Sequence, residues 1–172
     1  MLFSTRTVTN LGLLTAVSIV LTRVFGIGVL LGGVVSLRLT FGELPIMLAG
    51  VLFGPWAGAV VGAMADLIGY MINPFGGPYF PGFTLSAALT GFLAGAMLGK
   101  QREYTWRQVG LMVAVNDLVT SIALNTVWLV MLYQLDARVI LPARFGARLL
   151  TLPIYSTILL LVARAYRRSE QR

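Results

Sequence analysis

Residues 41–71, FGELPIMLAGVLFGPWAGAVVGAMADLIGYM, are the most informative part of the sequence for the arrangement of helices. It contains two apolar runs that are interrupted at Gly54-Pro55. Proline lacks an amide donor and glycine tolerates a turn, so this pair predicts a break between helices. A bilayer core needs about 20 helical residues, so both runs predict short spans. We predict helices near 43–54 and 56–72, with one continuous helix over 43–72 as the alternative.

The composition of the whole chain indicates a membrane protein. Of its 172 residues, 58% are hydrophobic and 11% are charged, whereas soluble domains average about 25% charged. Cysteine and histidine are absent, which excludes disulfides and the commonest zinc ligands. The net charge of +7 is typical of arginines at the ends of membrane helices rather than of a nucleic-acid-binding surface. We therefore expect no nucleic-acid partner, no cofactor and no metal.

The remaining apolar runs predict one all-α domain, a compact bundle of six transmembrane helices. We place the spans near 8–28, 43–54, 56–72, 82–99, 108–132 and 143–166. The two densest basic segments, 100–107 and 164–172, are separated by two spans, so both lie on one side, which the positive-inside rule assigns to the cytoplasm. Both termini are then cytoplasmic, and loops 29–42, 73–81 and 133–142 face outward. We expect a multi-pass protein in the plasma membrane of a prokaryote.

Asp66 lies inside a predicted span. A charge near the bilayer centre costs about 2.5–3.5 kcal/mol on insertion scales, so this carboxylate needs a partner or a cavity. Gly58 and Gly62 precede it at intervals of four and share its face, and small residues let helices approach closely. We expect Asp66 to face the bundle interior, where it contacts either a ligand or a neighbouring helix.

The fifth predicted span carries polar residues along one helical face. They are Asp117, Ser121, Asn125 and Trp128. Offsets of four, four and three keep them on that face in an α-helix, which indicates the lining of a cavity. Taken alone, Trp128 would equally fit the aromatic belt at a membrane interface.

Arginines accumulate on the predicted outer side, contrary to the positive-inside rule. Arg144 and Arg148 begin the sixth span, Arg23 lies near the outer end of the first, and Arg38 lies in the first outer loop. Snorkelling to head groups would explain each arginine singly. Because guanidinium groups pair bidentately with carboxylates, we instead favour an external site for an anionic ligand.

The second outer loop is rigid and aromatic. Residues 73–87, NPFGGPYFPGFTLSA, combine prolines and glycines with Phe75, Tyr79, Phe80 and Phe83. These rings predict a cover for a flat ligand; a loop that only plugs its own bundle is the alternative.

Small residues recur at intervals of four on two other spans. Gly91, Gly95 and Gly99 predict an internal packing face in the fourth span, and Gly12, Ala16 and Val20 form a weaker pattern in the first. The chain has no Walker-type phosphate loop and no histidine base, so we expect a binding subunit rather than an enzyme. A membrane enzyme that pairs Asp66 with Asp117 is a further alternative.

Residues 41–71 and the run YFPGFTLSAALTGFLAGAMLG (79–99) together resemble the substrate-binding S component of energy-coupling factor (ECF) transporters. LNTVWL (124–129) and LPARFGARLLTLPI (141–154) resemble the folate-specific subgroup. The resemblance covers nearly the whole chain. It implies a six-helix bundle that captures a vitamin from outside and docks on a membrane coupling subunit driven by two ABC ATPases. The docking positions would be Gly12, Ala16 and Val20, where valine departs from the family's usual alanine.

If the ligand is folate, its pterin, aromatic linker and glutamate suit these residues. Asp66 can accept two hydrogen bonds from the pterin edge, and Asn125 can serve other ring atoms; Asp117 facing the pterin is the reverse arrangement. Arg23, Arg144 or Arg148 can meet the glutamate carboxylates. The other predicted contacts are Tyr79, Phe80, Phe83, Thr84 and Trp128. Another vitamin or a small aromatic or anionic metabolite is the alternative ligand.

Overall fold

The structure, a computed structural model, describes residues 5–31, 34–74, 77–99, 101, 103–134 and 136–170. Phe75 of the predicted aromatic cover lies outside these residues. The helices are α1 (Thr5–Arg23), α2 (Glu43–Phe53), α3 (Pro55–Ile72), α4 (Pro81–Leu98), α5 (Trp106–Tyr133) and α6 (Ala137–Glu170). The strands β1 (Ile27–Leu31) and β2 (Val34–Leu39) pair antiparallel between α1 and α2.

Four helices are long and apolar enough to cross a bilayer by length and composition: α3, α4, α5 and α6. The eleven-residue α2 is apolar but shorter. The predicted helical class of the bundle is confirmed, and the hairpin is an addition to it. Glycine disfavours a further turn of helix and the β-branched residues of 27–39 favour strands, so α1 ends at Arg23 rather than near residue 28.

The predicted break between the second and third helices is confirmed. Gly54 adopts φ 98° and ψ 169°, a backbone conformation that side chains disfavour, and Pro55 opens α3. The alternative of one continuous helix is wrong, because α2 ends at Phe53.

The predicted start of the sixth helix near residue 143 is wrong. The α6 helix begins at Ala137, so most of the predicted loop 133–142 is helical. Gln134 ends α5 in the left-handed conformation, and the Asp136 carboxylate accepts a hydrogen bond from the amide of Arg138 at 2.9 Å. These local devices allow a very short connection, and α6 accommodates Pro142 inside its length.

Helices α3 and α4 pack through glycine, as their spacing predicts. A Cβ atom added to Gly58 would lie 2.4 Å from the carbonyl oxygen of Gly91, and one added to Gly91 would lie 2.1 Å from that of Gly58. The two backbones are therefore in direct contact, and this contact fixes where Asp66, two turns further along α3, meets α4.

We expect Gly91→Ala to destabilise the protein by about 1–3 kcal/mol, because the new methyl group overlaps backbone that cannot move alone. Gly12→Ala is the matched control, since a Cβ there meets nothing within 4 Å. Thermal unfolding in detergent measures the difference. Equal melting temperatures for the two variants would contradict the packing argument.

The basic segments lie together at one end of the bundle. The guanidinium of Arg164 donates to the backbone carbonyl of Tyr104 at 2.7 Å, and that of Arg167 donates to the Tyr104 hydroxyl at 2.5 Å. Asn10, near the start of α1, donates to the Tyr166 hydroxyl at 3.2 Å. The first helix therefore starts, and the last helix ends, at this end.

Candidate ligand-binding site

A cavity of about 180 Å³ lies at the opposite end of the bundle. Side chains from all six helices and from the loop before α4 line it. Eight of the ten predicted ligand contacts are on its wall: Arg23, Asp66, Tyr79, Phe80, Phe83, Asn125, Arg144 and Arg148. The other two, Thr84 and Trp128, lie behind the wall and contact residues that form it.

Asp66 faces this cavity, as its position on the same helix face as Gly58 and Gly62 predicts. The Thr84 hydroxyl donates to its Oδ2 at 2.7 Å, and Arg23 Nη2 lies 3.5 Å from its Oδ1. Arg23 is itself held by the carbonyl of Asn73, to which it donates at 2.7 Å. The carboxylate side chain is 19% exposed. It therefore has a structural partner on each oxygen, and a carboxylate can accept further hydrogen bonds.

Two groups of aromatic rings lie at the cavity. Tyr70 and Tyr79 pack edge to face with centroids 5.3 Å apart, and the Tyr79 and Thr84 hydroxyls share a 3.0 Å hydrogen bond. Phe80 contacts Phe83 at 5.9 Å and Trp128 at 5.7 Å. These apolar rings suit a flat aromatic ligand.

Trp128 is fixed inside the bundle. Its indole Nε1 donates to the Ser86 hydroxyl at 3.0 Å, which joins α5 to α4. The contact with Phe80 and this hydrogen bond favour a supporting role at the site over a place in the interfacial belt.

Arg148 is engaged by two carboxylates. Its Nη1 and Nη2 each lie 2.6 Å from an oxygen of Glu43, and Nη1 lies 3.1 Å from Asp117 Oδ1. The bidentate pair connects the start of α2 to α6, and Asp117 adds α5. Arg148 was predicted to contact a ligand, but its recorded ion pairs are with Glu43 and Asp117 of the protein.

Glu43 is a wall residue that the sequence analysis missed. It is one of only six acidic residues and opens an apolar helix at the predicted outer end. An acidic residue at that position could have been predicted to belong to the site. Its partner could not, because Arg148 lies 105 residues further along the chain.

Arg144 and Asn125 offer the cavity a donor and an acceptor. Arg144 is 7% exposed, and its Nη1 donates to the Ser121 carbonyl at 2.5 Å. Asn125 Oδ1 is buried and has no hydrogen-bond partner among the residues that the structure describes. Buried acceptors are normally satisfied, so this oxygen can accept a hydrogen bond from water or from a ligand in the cavity.

The polar face of α5 is divided by a π-helical segment, Asp117–Leu124. This segment changes the register that α-helical spacing assumes. Ser121 and Asn125 line the cavity, whereas Asp117 is not on its wall and pairs with Arg148. Asp66 and Asp117 pair with different arginines, so the arrangement gives no support to a catalytic pair of carboxylates.

Hydroxyl groups on the cavity wall were also missed. Thr90 Oγ1 donates to Thr120 Oγ1 at 3.2 Å, and Asn116 Nδ2 donates to the Thr90 carbonyl at 2.8 Å. These bonds connect α4 to α5, and both threonines line the cavity. Threonine and serine are common in helices, so their spacing alone gave no specific signal.

The predicted docking positions lie on the outside of α1. Gly12, Ala16 and Val20 are all exposed. They are therefore available to a partner helix or to lipid.

Comparison with known proteins identifies the family. Residues 2–168 match the family model described as "ECF-type riboflavin transporter, S component". Two relatives named folate transporter FolT are each 32% identical to this chain. The protein from Clostridium novyi aligns over 72% of this chain and 70% of its own length, and that from Leuconostoc mesenteroides over 76% and 66%.

Solved structures agree with these matches. A crystal structure of FolT bound with folic acid superposes with a TM-score of 0.83 at 28% identity, covering 95% of this chain and 98% of that one. The S component of a bacterial ECF transporter superposes with a TM-score of 0.70 at 22% identity over 97% and 98%, which supports the fold alone. With a family model that spans nearly the whole chain, this protein belongs to the S components of ECF-type transporters.

Proposed function

We propose that this protein captures folate with high affinity at the outer face of the membrane as the S component of an ECF-type importer. The observation that carries the proposal is that one cavity combines the Asp66 carboxylate, the acceptor of Asn125, aromatic rings packed edge to face and arginine. The likeness to FolT bound with folic acid supports the same ligand.

The chemistry of the wall favours folate over riboflavin, which the description of the family model names. A pterin presents two adjacent N–H donors, and the two oxygens of Asp66 can accept both. The corresponding edge of the riboflavin ring system has one N–H between two carbonyl oxygens, which would meet the carboxylate's lone pairs. Riboflavin also has no carboxylate for Arg144 to bind. The folate tail carries two carboxylates, which a guanidinium can bind through charge-assisted hydrogen bonds.

Different ion pairs support different roles for the predicted arginines. Arg23 is held against Asp66 and Arg148 against Glu43, so both arginines neutralise acids of the wall. Arg144 lies on the wall and donates to the Ser121 carbonyl, and we assign it the contact with the glutamate tail. Asp66 is assigned to the pterin, since Asp117 is not on the wall.

We expect Arg144→Met to weaken folate binding by about 10-fold or more, which is the loss of one charge-assisted hydrogen bond. Pteroate lacks the glutamate, so the same substitution should weaken pteroate binding by less than 3-fold. Isothermal titration calorimetry of both ligands on both proteins gives the comparison. Equal losses for folate and pteroate would rule out the tail contact.

Six spans with both termini in the cytoplasm complete the proposal. The contacts of Tyr104 with Arg164 and Arg167 support one shared basic end, which the positive-inside rule assigns to the cytoplasm of a prokaryotic cell. The exposed face of Gly12, Ala16 and Val20 would dock on the membrane coupling subunit, whose two ABC ATPases supply the energy.

A further inference from the structure

Asp117 is a deeply buried carboxylate beside the cavity. It begins the π-helical segment of α5, and its side chain is 4% exposed. Arg148 Nη1 lies 3.1 Å from Oδ1, but neither oxygen has a hydrogen bond from any residue that the structure describes. A buried carboxylate that shares its one recorded ion-pair partner with a second acid calls for another positive partner.

The ion-pair cluster around Asp117 carries an excess of negative charge. Glu43 and Asp117 contribute two carboxylates, and Arg148 contributes one guanidinium. The guanidinium gives its two closest contacts, both 2.6 Å, to Glu43. One net negative charge therefore remains on the cluster, mainly at Asp117.

Donors on the neighbouring elements are directed elsewhere. The Tyr155 hydroxyl on α6 donates to the Thr40 carbonyl after β2, and the Asn116 amide on α5 donates to Thr90 on α4. Arg144, one turn before Arg148, donates to the Ser121 carbonyl. These recorded hydrogen bonds do not reach Asp117.

We propose that Asp117 holds one monovalent cation, either a proton or an alkali-metal ion. Each supplies the same chemistry, a single positive charge on a carboxylate in a low-dielectric interior. A divalent ion would exceed the charge to be balanced, and grouped acidic ligands for one are absent from the described residues. The cation would bring the cluster to neutrality next to the ligand cavity.

Two measurements on the full chain in detergent test this site without any ligand. Infrared spectra of wild type and Asp117→Asn report a protonated carboxylic acid, whose carbonyl band should disappear in the variant. Thermal unfolding in sodium, potassium or choline chloride reports an alkali-metal ion, which should raise the wild-type melting temperature by about 3 °C or more over choline. Asp136→Asn removes an exposed carboxylate and is the matched control.

The site is supported if the carbonyl band or the salt-dependent melting temperature is seen in wild type and Asp136→Asn but not in Asp117→Asn. The band would identify the cation as a proton, and the salt dependence would identify it as an alkali-metal ion. If Asp117→Asn does not fold, Asp117→Glu keeps a carboxylic acid and should shift the same infrared band or retain the same ion dependence. The proposal would be overturned if no infrared band of the wild-type protein changes in these variants and its melting temperature is the same in all three salts.

Discussion

Asp66→Asn is expected to weaken folate binding by about 100-fold or more, because charge-assisted hydrogen bonds contribute about 1.5–3 kcal/mol each and the pterin offers two. The carboxylate faces the cavity and keeps acceptor positions beyond its bonds to Thr84 and Arg23. Asparagine replaces one of the two acceptor oxygens with a donor, so it repels one of the pterin N–H groups. Calorimetry or ligand fluorescence gives the two dissociation constants.

The control for this change is Asp136→Asn, an exposed carboxylate at the start of α6 that should leave folate affinity unchanged. Melting temperatures of both variants separate lost binding from lost folding, because Asp66→Asn also removes an ion pair from buried Arg23. A folded Asp66→Asn protein that binds folate within 3-fold of wild type would show that the pterin does not meet this residue.

Arg148→Met is expected to cost about 3–5 kcal/mol of stability, because it leaves Glu43 and Asp117 together in the interior without their shared cation. For a chain of this size, such a loss corresponds to a drop of roughly 10 °C in melting temperature. Thermal unfolding in detergent measures it. Arg138→Met, which removes an exposed arginine from the same helix, should change the melting temperature little.

A second variant tests the cause of that loss. Adding Glu43→Gln to Arg148→Met removes one of the two stranded charges and should recover part of the lost stability. Two results would show that the ion-pair cluster does not stabilise the protein. Arg148→Met could melt at the wild-type temperature. Alternatively, adding Glu43→Gln to Arg148→Met could lower the melting temperature by as much as Glu43→Gln lowers it in the wild-type protein.

Local sequence signals predicted the parts of the fold that depend on neighbouring residues. Gly54-Pro55 ends one helix and begins the next because both effects are properties of the residues themselves. The spacing of Gly58 and Gly62 before Asp66 predicted which face packs and therefore where the carboxylate points. Eight of the ten residues predicted to contact the ligand lie on the cavity wall.

Features that depend on distant partners or on backbone register could not be predicted from the sequence. The pair of Glu43 with Arg148 joins residues far apart in sequence, so it became visible only once α2 and α6 were placed together. The π-helical segment separates Asp117 from the cavity although α-helical spacing put it in line with Asn125. Likewise, the sixth helix was predicted to begin near residue 143, but α6 begins at Ala137 and contains Pro142.

If this protein is a folate-binding S component, the isolated chain must bind folate, and titration of purified protein in detergent without ATP measures that binding. Folate should bind with a stoichiometry of one and an affinity at least about 100-fold above that of riboflavin, since only folate supplies the paired donors and carboxylates that the wall accepts. Tight binding of riboflavin together with weak or absent binding of folate would contradict the account.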